Sequence, residues 1–134
     1  MIGVVVVSHG RLAQELLSAA EHVVGQMDQA EAIAIGPNDD PASCRKEILA
    51  AVQRVDGGKG VVLLTDMFGG TPSNLAISIM ESAPIEVIAG ANLPMLVKLA
   101  QTRGRMGLEE TALAAEEAGH KYIRMASRVL NDVS

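Results

Sequence analysis

Two short segments carry the residue types best suited to chemistry. Ser8-His9-Gly10 follows the apolar run at residues 2–7, and Asp66-Met67-Phe68-Gly69-Gly70-Thr71-Pro72 follows the apolar run at residues 60–65. A carboxylate that accepts from one imidazole nitrogen fixes the tautomer and leaves the other nitrogen's lone pair free. The free nitrogen can take a proton or a phosphoryl group. Gly69 and Gly70 let the backbone bend closely around an anion, and Thr71-Pro72 reads as an N-cap followed by a proline in the first helical position. Unpaired N–H groups at a helix start, with the macrodipole behind them, favour a phosphate. Gly10 opens the first helix in the same way beside His9. A histidine between two helix starts, with an aspartate behind it, suits a transient phosphohistidine. It suits a metal poorly, because one His and one Asp are too few ligands and a positive helix end repels cations.

His9 and Asp66 can meet only if their strands are neighbours. Residues 2–7 include four consecutive valines and read as a strand buried on both faces. Leu12, Leu16, Ala19, Ala20 and Val23 then recur at helical spacing. Residues 30–35 form a second strand, ended by Gly36-Pro37. Asp40 before Pro41 caps a helix with an apolar face of Cys44, Ile48, Ala51, Val52 and Val55. Residues 60–65 form a third strand and residues 75–81 a helix. Residues 85–89 give a fourth strand, and Asn92 caps a helix at residues 93–102 with Pro94 in its first turn. After a loop at 104–107, a last helix at 108–118 stops at Gly119. In the tail, residues 121–129, Ile123, Met125 and Val129 alternate with Arg124 and Arg128, which favours a half-buried strand over a helix. Strands alternating with helices imply an α/β fold, a parallel sheet with right-handed crossovers covered on both faces. In the flavodoxin-like order 2-1-3-4, strands one and three lie roughly 4.8 Å apart. The site then falls beyond their carboxyl ends, where strand order reverses.

Composition bounds the function classes. At 134 residues, 49% hydrophobic and 20% charged, the chain suits one globular domain spanning residues 1–134. A net charge of -5, no basic run and only two aromatics, Phe68 and Tyr122, argue against nucleic acid. The lone Cys44 excludes an intramolecular disulfide and a multi-thiolate metal site. No apolar run approaches the roughly 20 residues that span a bilayer. Residues 1–8 lack the basic start and small-residue cleavage site of a signal peptide. A soluble cytoplasmic protein without membrane insertion is expected. Cys44 falls on an apolar helix face and reads as core. His22 and His120 read as solvated side chains, and Glu116-Glu117 and Asp39-Asp40 as helix-surface and cap residues.

Taken together, Val5-Val6-Val7-Ser8-His9-Gly10, Leu12-Ala13 and Thr65-Asp66-Met67-Phe68-Gly69-Gly70-Thr71-Pro72-Ser73-Asn74 closely resemble the IIA domain of the mannose-type (mannose/fructose/sorbose) sugar phosphotransferase system. Gly90-Ala91-Asn92-Leu93-Pro94-Met95-Leu96 resembles that family's loop and helix after the fourth strand. The resemblance covers essentially the whole chain. It implies a four-stranded parallel sheet, with a C-terminal antiparallel strand exchanged between the subunits of a homodimer. It also implies a phosphoryl relay in which the phosphocarrier HPr phosphorylates the IIA histidine, and IIA passes the group to a IIB protein or domain. By position, His9 is the phosphorylated residue and Asp66 its carboxylate partner. Gly10, the Met67 backbone, Gly69, Gly70 and Thr71 surround the phosphate, with no cofactor and no metal. Many family members carry a hydroxyl residue where this chain has Met67, and no Ala/Pro-rich linker to a IIB domain is present. The IIB partner is then a separate chain, serving either sugar uptake or a regulatory relay that imports no sugar.

The competing reading of the same fold is a nucleotide- or flavin-binding module, or a receiver-like regulatory domain. A receiver places clustered acidic residues after its first strand, where this chain has Ser8-His9. A flavin site usually flanks its ring with aromatics, and this chain has two in all. Met67, Phe68, Leu93, Pro94 and Met95 are expected to form an apolar docking patch around His9, with adaptable methionines suited to two partners.

Overall fold

The computed structural model describes residues 1–132. Four strands, β1 (Gly3–His9), β2 (Ala30–Ile35), β3 (Val61–Thr65) and β4 (Ile85–Ala89), form one parallel sheet in the order β2-β1-β3-β4. Six helices accompany them: α1 (Leu12–Val24), α2 (Pro41–Val55), α3 (Thr71–Ser78), α4 (Leu93–Thr102), α5 (Leu108–Lys121) and α6 (Ala126–Asp132). A single 3-10 turn, Met80–Ser82, follows α3.

The valine run makes sense in this setting. β1 lies between β2 and β3, and every one of its residues except His9 is buried. Side chains alternate across the sheet. Val5 and Val7 join Leu63, Ile48, Val52 and Ile79 beneath α2 and α3. Val4 and Val6 join Leu64, Leu96, Leu99 and Ala115 beneath α1, α4 and α5. Each fully buried Val, Leu or Ile contributes about 1.5–3 kcal/mol relative to exposure. A strand that fills two cores at once is therefore rigidly placed, and its carboxyl end is a firm mount for His9. Register sets the rest of the mount. Val7 pairs with Thr65, so β1 runs two residues further and Asp66 leaves β3 beside His9.

Local chemistry sets the helix starts. The Asp40 side chain accepts from Ser43 N at 3.2 Å, and Asn92 Oδ1 accepts from Met95 N at 3.1 Å, each followed by a proline in the first turn. α3 departs from expectation. It begins at Thr71, earlier than the expected 75–81 helix, and Gly70 rather than Thr71 occupies the N-cap. Gly119 does not stop α5, which continues to Lys121. Gly119 instead marks a close helix crossing: a Cβ there would lie 2.5 Å from Met95 Cε. Its carbonyl also accepts from Asn92 Nδ2 at 3.1 Å.

The tail corrects another expectation. Residues 121–129 form no antiparallel strand in the single chain. α5 takes Lys121, residues 122–125 are irregular, and α6 follows. The tail pairs with neither edge strand of its own sheet, β2 or β4, and its backbone groups turn instead to local helical bonds, such as Val129 N to Met125 O at 3.2 Å. Ile123 and Met125 are left exposed.

Candidate functional site

His9 Nδ1 lies 2.7 Å from Asp66 Oδ2. The same oxygen accepts the His9 backbone N–H at 2.9 Å, and Asp66 Oδ1 accepts from Met67 N at 2.9 Å. Burial pushes the Asp66 carboxyl up, but the two His9 donors, the ring's charge and the Met67 N–H outweigh it. Together they hold Asp66 below the ordinary aspartate range. An ionised acceptor against Nδ1 puts the ring proton there and leaves the Nε2 lone pair free. The His9 side chain is 54% exposed and that of Asp66 11%, so the carboxylate sits behind and the imidazole faces outward.

The second loop closes around the ring. Gly69 has φ +82°, a conformation that L side chains rarely adopt. Gly70 is extended, and its reason for lacking a side chain is contact: a Cβ there would lie 2.8 Å from His9 Cε1 and 3.4 Å from Nε2. The first intrahelical bond of α3 is Asn74 N to Gly70 O, at 3.1 Å. Among the described residues, the N–H groups of Gly69, Gly70 and Thr71 make no hydrogen bond. Thr71 is exposed. Open donors at a helix start therefore border the free face of the imidazole, the arrangement that favours an anion.

The remaining expected residues fall out differently. Gly10 N donates to Ile35 O at 2.9 Å, and its φ is +55°. It shapes the turn out of β1, and its N–H is already used. The Met67 N–H is likewise engaged, by Asp66 Oδ1. Of the expected docking patch, Met67 and Phe68 are well exposed, at 56% and 69%, and Leu93 and Pro94 are half-buried. Met95 is the exception, being packed inward against Gly119.

Two serines that the sequence reading passed over hold the loops. Ser8 Oγ accepts from Ala13 N at 2.7 Å and donates to Gly10 O at 3.2 Å, bracing the turn beneath His9. Ser73 Oγ donates to Gly70 O at 3.1 Å. Their signal was available, since a buried serine beside a loop glycine commonly bonds the local backbone. Cys44 is buried, its thiol pushed up by desolvation and by Asp39, Glu47 and Asp40. His22 and His120 are exposed. Among the described residues no three His, Cys, Asp or Glu side chains gather to hold a metal ion. None of the described helices is long and apolar enough to cross a membrane.

Residues 3–116 match the family model EIIA-man, described as PTS system fructose IIA component. The chain is 32% identical over 125 residues to the mannose-specific EIIAB component of the Escherichia coli (strain K12) PTS; the match covers 92% of this chain and 39% of that protein. It is 27% identical over 134 residues to the fructose-specific EIIA component of Bacillus subtilis (strain 168), covering 99% and 92%. In structure it resembles the mannose/sorbose-specific IIA subunit from Enterococcus faecalis, with a TM-score of 0.82 at 26% identity over 92% of this chain and 93% of that one. For the EIIA component from Streptococcus agalactiae the TM-score is 0.87 at 24% identity, over 96% and 99%, which is a likeness of fold.

Proposed function

The chain belongs to the mannose-type IIA family of the sugar phosphotransferase system, and from that premise we propose that it carries a phosphoryl group on His9, taken from HPr and given to a IIB protein. One observation carries the assignment to His9: Nδ1 is committed to Asp66 at 2.7 Å, while Gly70, in a loop where the N–H groups of Gly69, Gly70 and Thr71 make no hydrogen bond among the described residues, lies against the Cε1–Nε2 side of the ring. The Nε2 lone pair attacks phosphorus as the phosphorus–nitrogen bond to the donor histidine breaks, and that bond's electron pair returns to the donor nitrogen. His9 keeps its Nδ1 proton, and the positive charge that develops on the ring is balanced by Asp66. Phosphoryl transfer passes through a loose transition state, so positioning and charge stabilisation are the protein's work. The open N–H groups meet the equatorial oxygens, and no metal or cofactor is needed. The reverse sequence delivers the group to IIB.

Gly10 and Met67 act in this reading through loop shape and through Asp66, because their N–H groups are spoken for. Met67 and Phe68 form the exposed apolar lip on which HPr and IIB alternate. The chain spans 39% of the length of the EIIAB relative; in this reading the IIB acceptor serves either sugar uptake or a regulatory relay. Incubation with phosphoenolpyruvate, Enzyme I and HPr, followed by intact mass, tests the proposal. A single acid-labile, base-stable phosphoryl adduct on the wild type and none on His9→Ala is the expected result. Full labelling of His9→Ala would remove His9 from the role.

The protein also works as a homodimer in this reading, with the tail of one copy on the sheet of the other. The open edge of β4 borders a cleft of about 230 Å³ lined by Glu86, Ile88, Glu109, Leu113 and Glu116. The tail offers the complement: Arg124 and Arg128 alternate with exposed Ile123 and Met125, and Lys121 adds a third cation before them.

A further inference from the structure

At the end of the sheet opposite His9, where β1 begins, a cavity of about 260 Å³ is lined by Ile2, Lys59, Arg103, Arg105 and Gly107, among others. Arg103 is 5% exposed. Its guanidinium, which has five N–H donors, makes one hydrogen bond among the described residues, a long one of 3.4 Å from Nη1 to Gln29 O. Arg105 Nε donates to Gln101 O at 3.2 Å, and among the described residues Lys59 has no polar partner. Among the described residues, none of the three cations forms an ion pair.

Three further features surround this cluster. Burial works against the Arg103 charge, offset only by Asp28, whose carboxylate is bonded to Gln26 Nε2 at 3.2 Å. Asp56, beside Lys59 in the chain, is taken up by the N–H groups of Gly58 and Gly60. Gly107, on the cavity wall, is the N-cap of the 14-residue α5 and gives it no side-chain cap. Glu109 and Glu110 in the first turn of α5 moderate its positive end. Glu109 also lines the separate cleft at β4. Cations gathered at a positive helix end are electrostatically uphill, and the arrangement becomes favourable once an anion sits among them.

We propose that this cavity is a second anion site, which binds a small soluble phosphate-bearing ligand between Lys59, Arg103, Arg105 and the start of α5. The inference does not depend on the reading of His9, which lies at the other end of the sheet. A ligand seated there ties the α4–α5 loop to the first residues of β1, already joined by Ile2 N to Arg103 O at 3.0 Å.

The test is a titration of the full chain with inorganic phosphate at constant ionic strength, followed by amide NMR. Gly104 and Gly107 should shift and saturate with a Kd on the order of 1 mM. Gly69 and Gly70 report separately on any binding beside His9. Because Arg103 is buried and its loss could disturb folding, the informative variant is the exposed pair Lys59→Ala/Arg105→Ala, expected to weaken binding about tenfold or more with an unchanged spectrum elsewhere. Unmoved Gly104 and Gly107 signals would overturn the proposal. So would equal shifts with chloride, or equal affinity in the double variant. Binding of the chain to anionic phospholipid vesicles that depends on Lys59 and Arg105 would overturn the soluble source of the phosphate.

Discussion

A glycine that touches a histidine is the sharpest constraint at the residue scale. Gly70→Ala places a methyl group 2.8 Å from His9 Cε1, so the imidazole must rotate off Asp66 or the loop must lift. Gly70 is extended, and alanine tolerates that backbone well, so the fold survives. Transfer from HPr is expected to fall about tenfold or more with little change in thermal midpoint, since misplacement of a reacting atom is costly. Rapid-quench phosphorylation beside a melting curve checks both halves. Asp66→Asn keeps the shape of the carboxylate but presents an amide to Nδ1 and loses the balancing charge. It should slow phosphorylation by roughly a hundredfold or more, by analogy with other buried carboxylates that hold an imidazole. The same residue gives a pH signature. The folded Asp66 carboxyl is held below its unfolded value, so its contribution to stability is complete above the ordinary aspartate range, near 3.9. That contribution is lost as pH falls through the lower, folded value. Denaturant midpoints between pH 5 and pH 2 should therefore drop less steeply for Asp66→Asn than for wild type. Parallel curves would mean that the pair does not couple to folding.

At the scale of elements, the strands and most helix boundaries were legible because burial and capping write themselves into local sequence. Four valines in a row have one comfortable place in this fold, the centre of a sheet with helices on both faces. Asp40-Pro41 and Asn92-Leu93-Pro94 announce helix starts that the structure keeps. The meeting of His9 and Asp66 followed from strand order, since parallel neighbours bring their carboxyl ends together. Gly119 was misread because glycine has two uses, and sequence does not separate a helix stop from a close crossing. Met95 was misread for the matching reason: it is the side chain that fills the space Gly119 leaves. In the proposed relay, the loop before α3 is where an element would meet its partners. Phe68 is 69% exposed, with no core to fill, so Phe68→Ala should leave stability within about 0.5 kcal/mol. The rates of transfer from HPr and to IIB should nevertheless fall, because exposed aromatics dominate contact energy at small interfaces. Unchanged rates with both partners would move the docking surface away from this loop.

For the whole molecule, the tail was legible in its alternation and illegible in its partner. Residues 121–129 carry a strand pattern, yet in the single chain they pair with neither edge of the sheet, and they settle into a helix end, a coil and α6. The sheet has the opposite problem, since β4 ends it with unpaired backbone groups that proteins usually cover. In the proposed dimer, a second copy would solve both at once. Its tail would bring Lys121, Arg124 and Arg128 to a cleft holding Glu86, Glu109 and Glu116, and would bury Ile123 and Met125, which are 74% and 65% exposed in the single chain. Reciprocal exchange uses the same two surfaces twice, as a two-fold dimer requires. Truncation after Tyr122 removes the apolar alternation and two of the three cations while leaving α5 whole. The truncated chain should sediment as a monomer, melt lower and aggregate more readily than the full chain, with the His9 loop still able to accept a phosphoryl group. Reversing the acidic wall with Glu86→Lys/Glu116→Lys should weaken the dimer without shortening the chain. High salt should weaken the wild-type dimer only in part, because screening removes the ion pairs and leaves the apolar and backbone contacts. A full-strength dimer after truncation, measured by light scattering, would place the interface on another face.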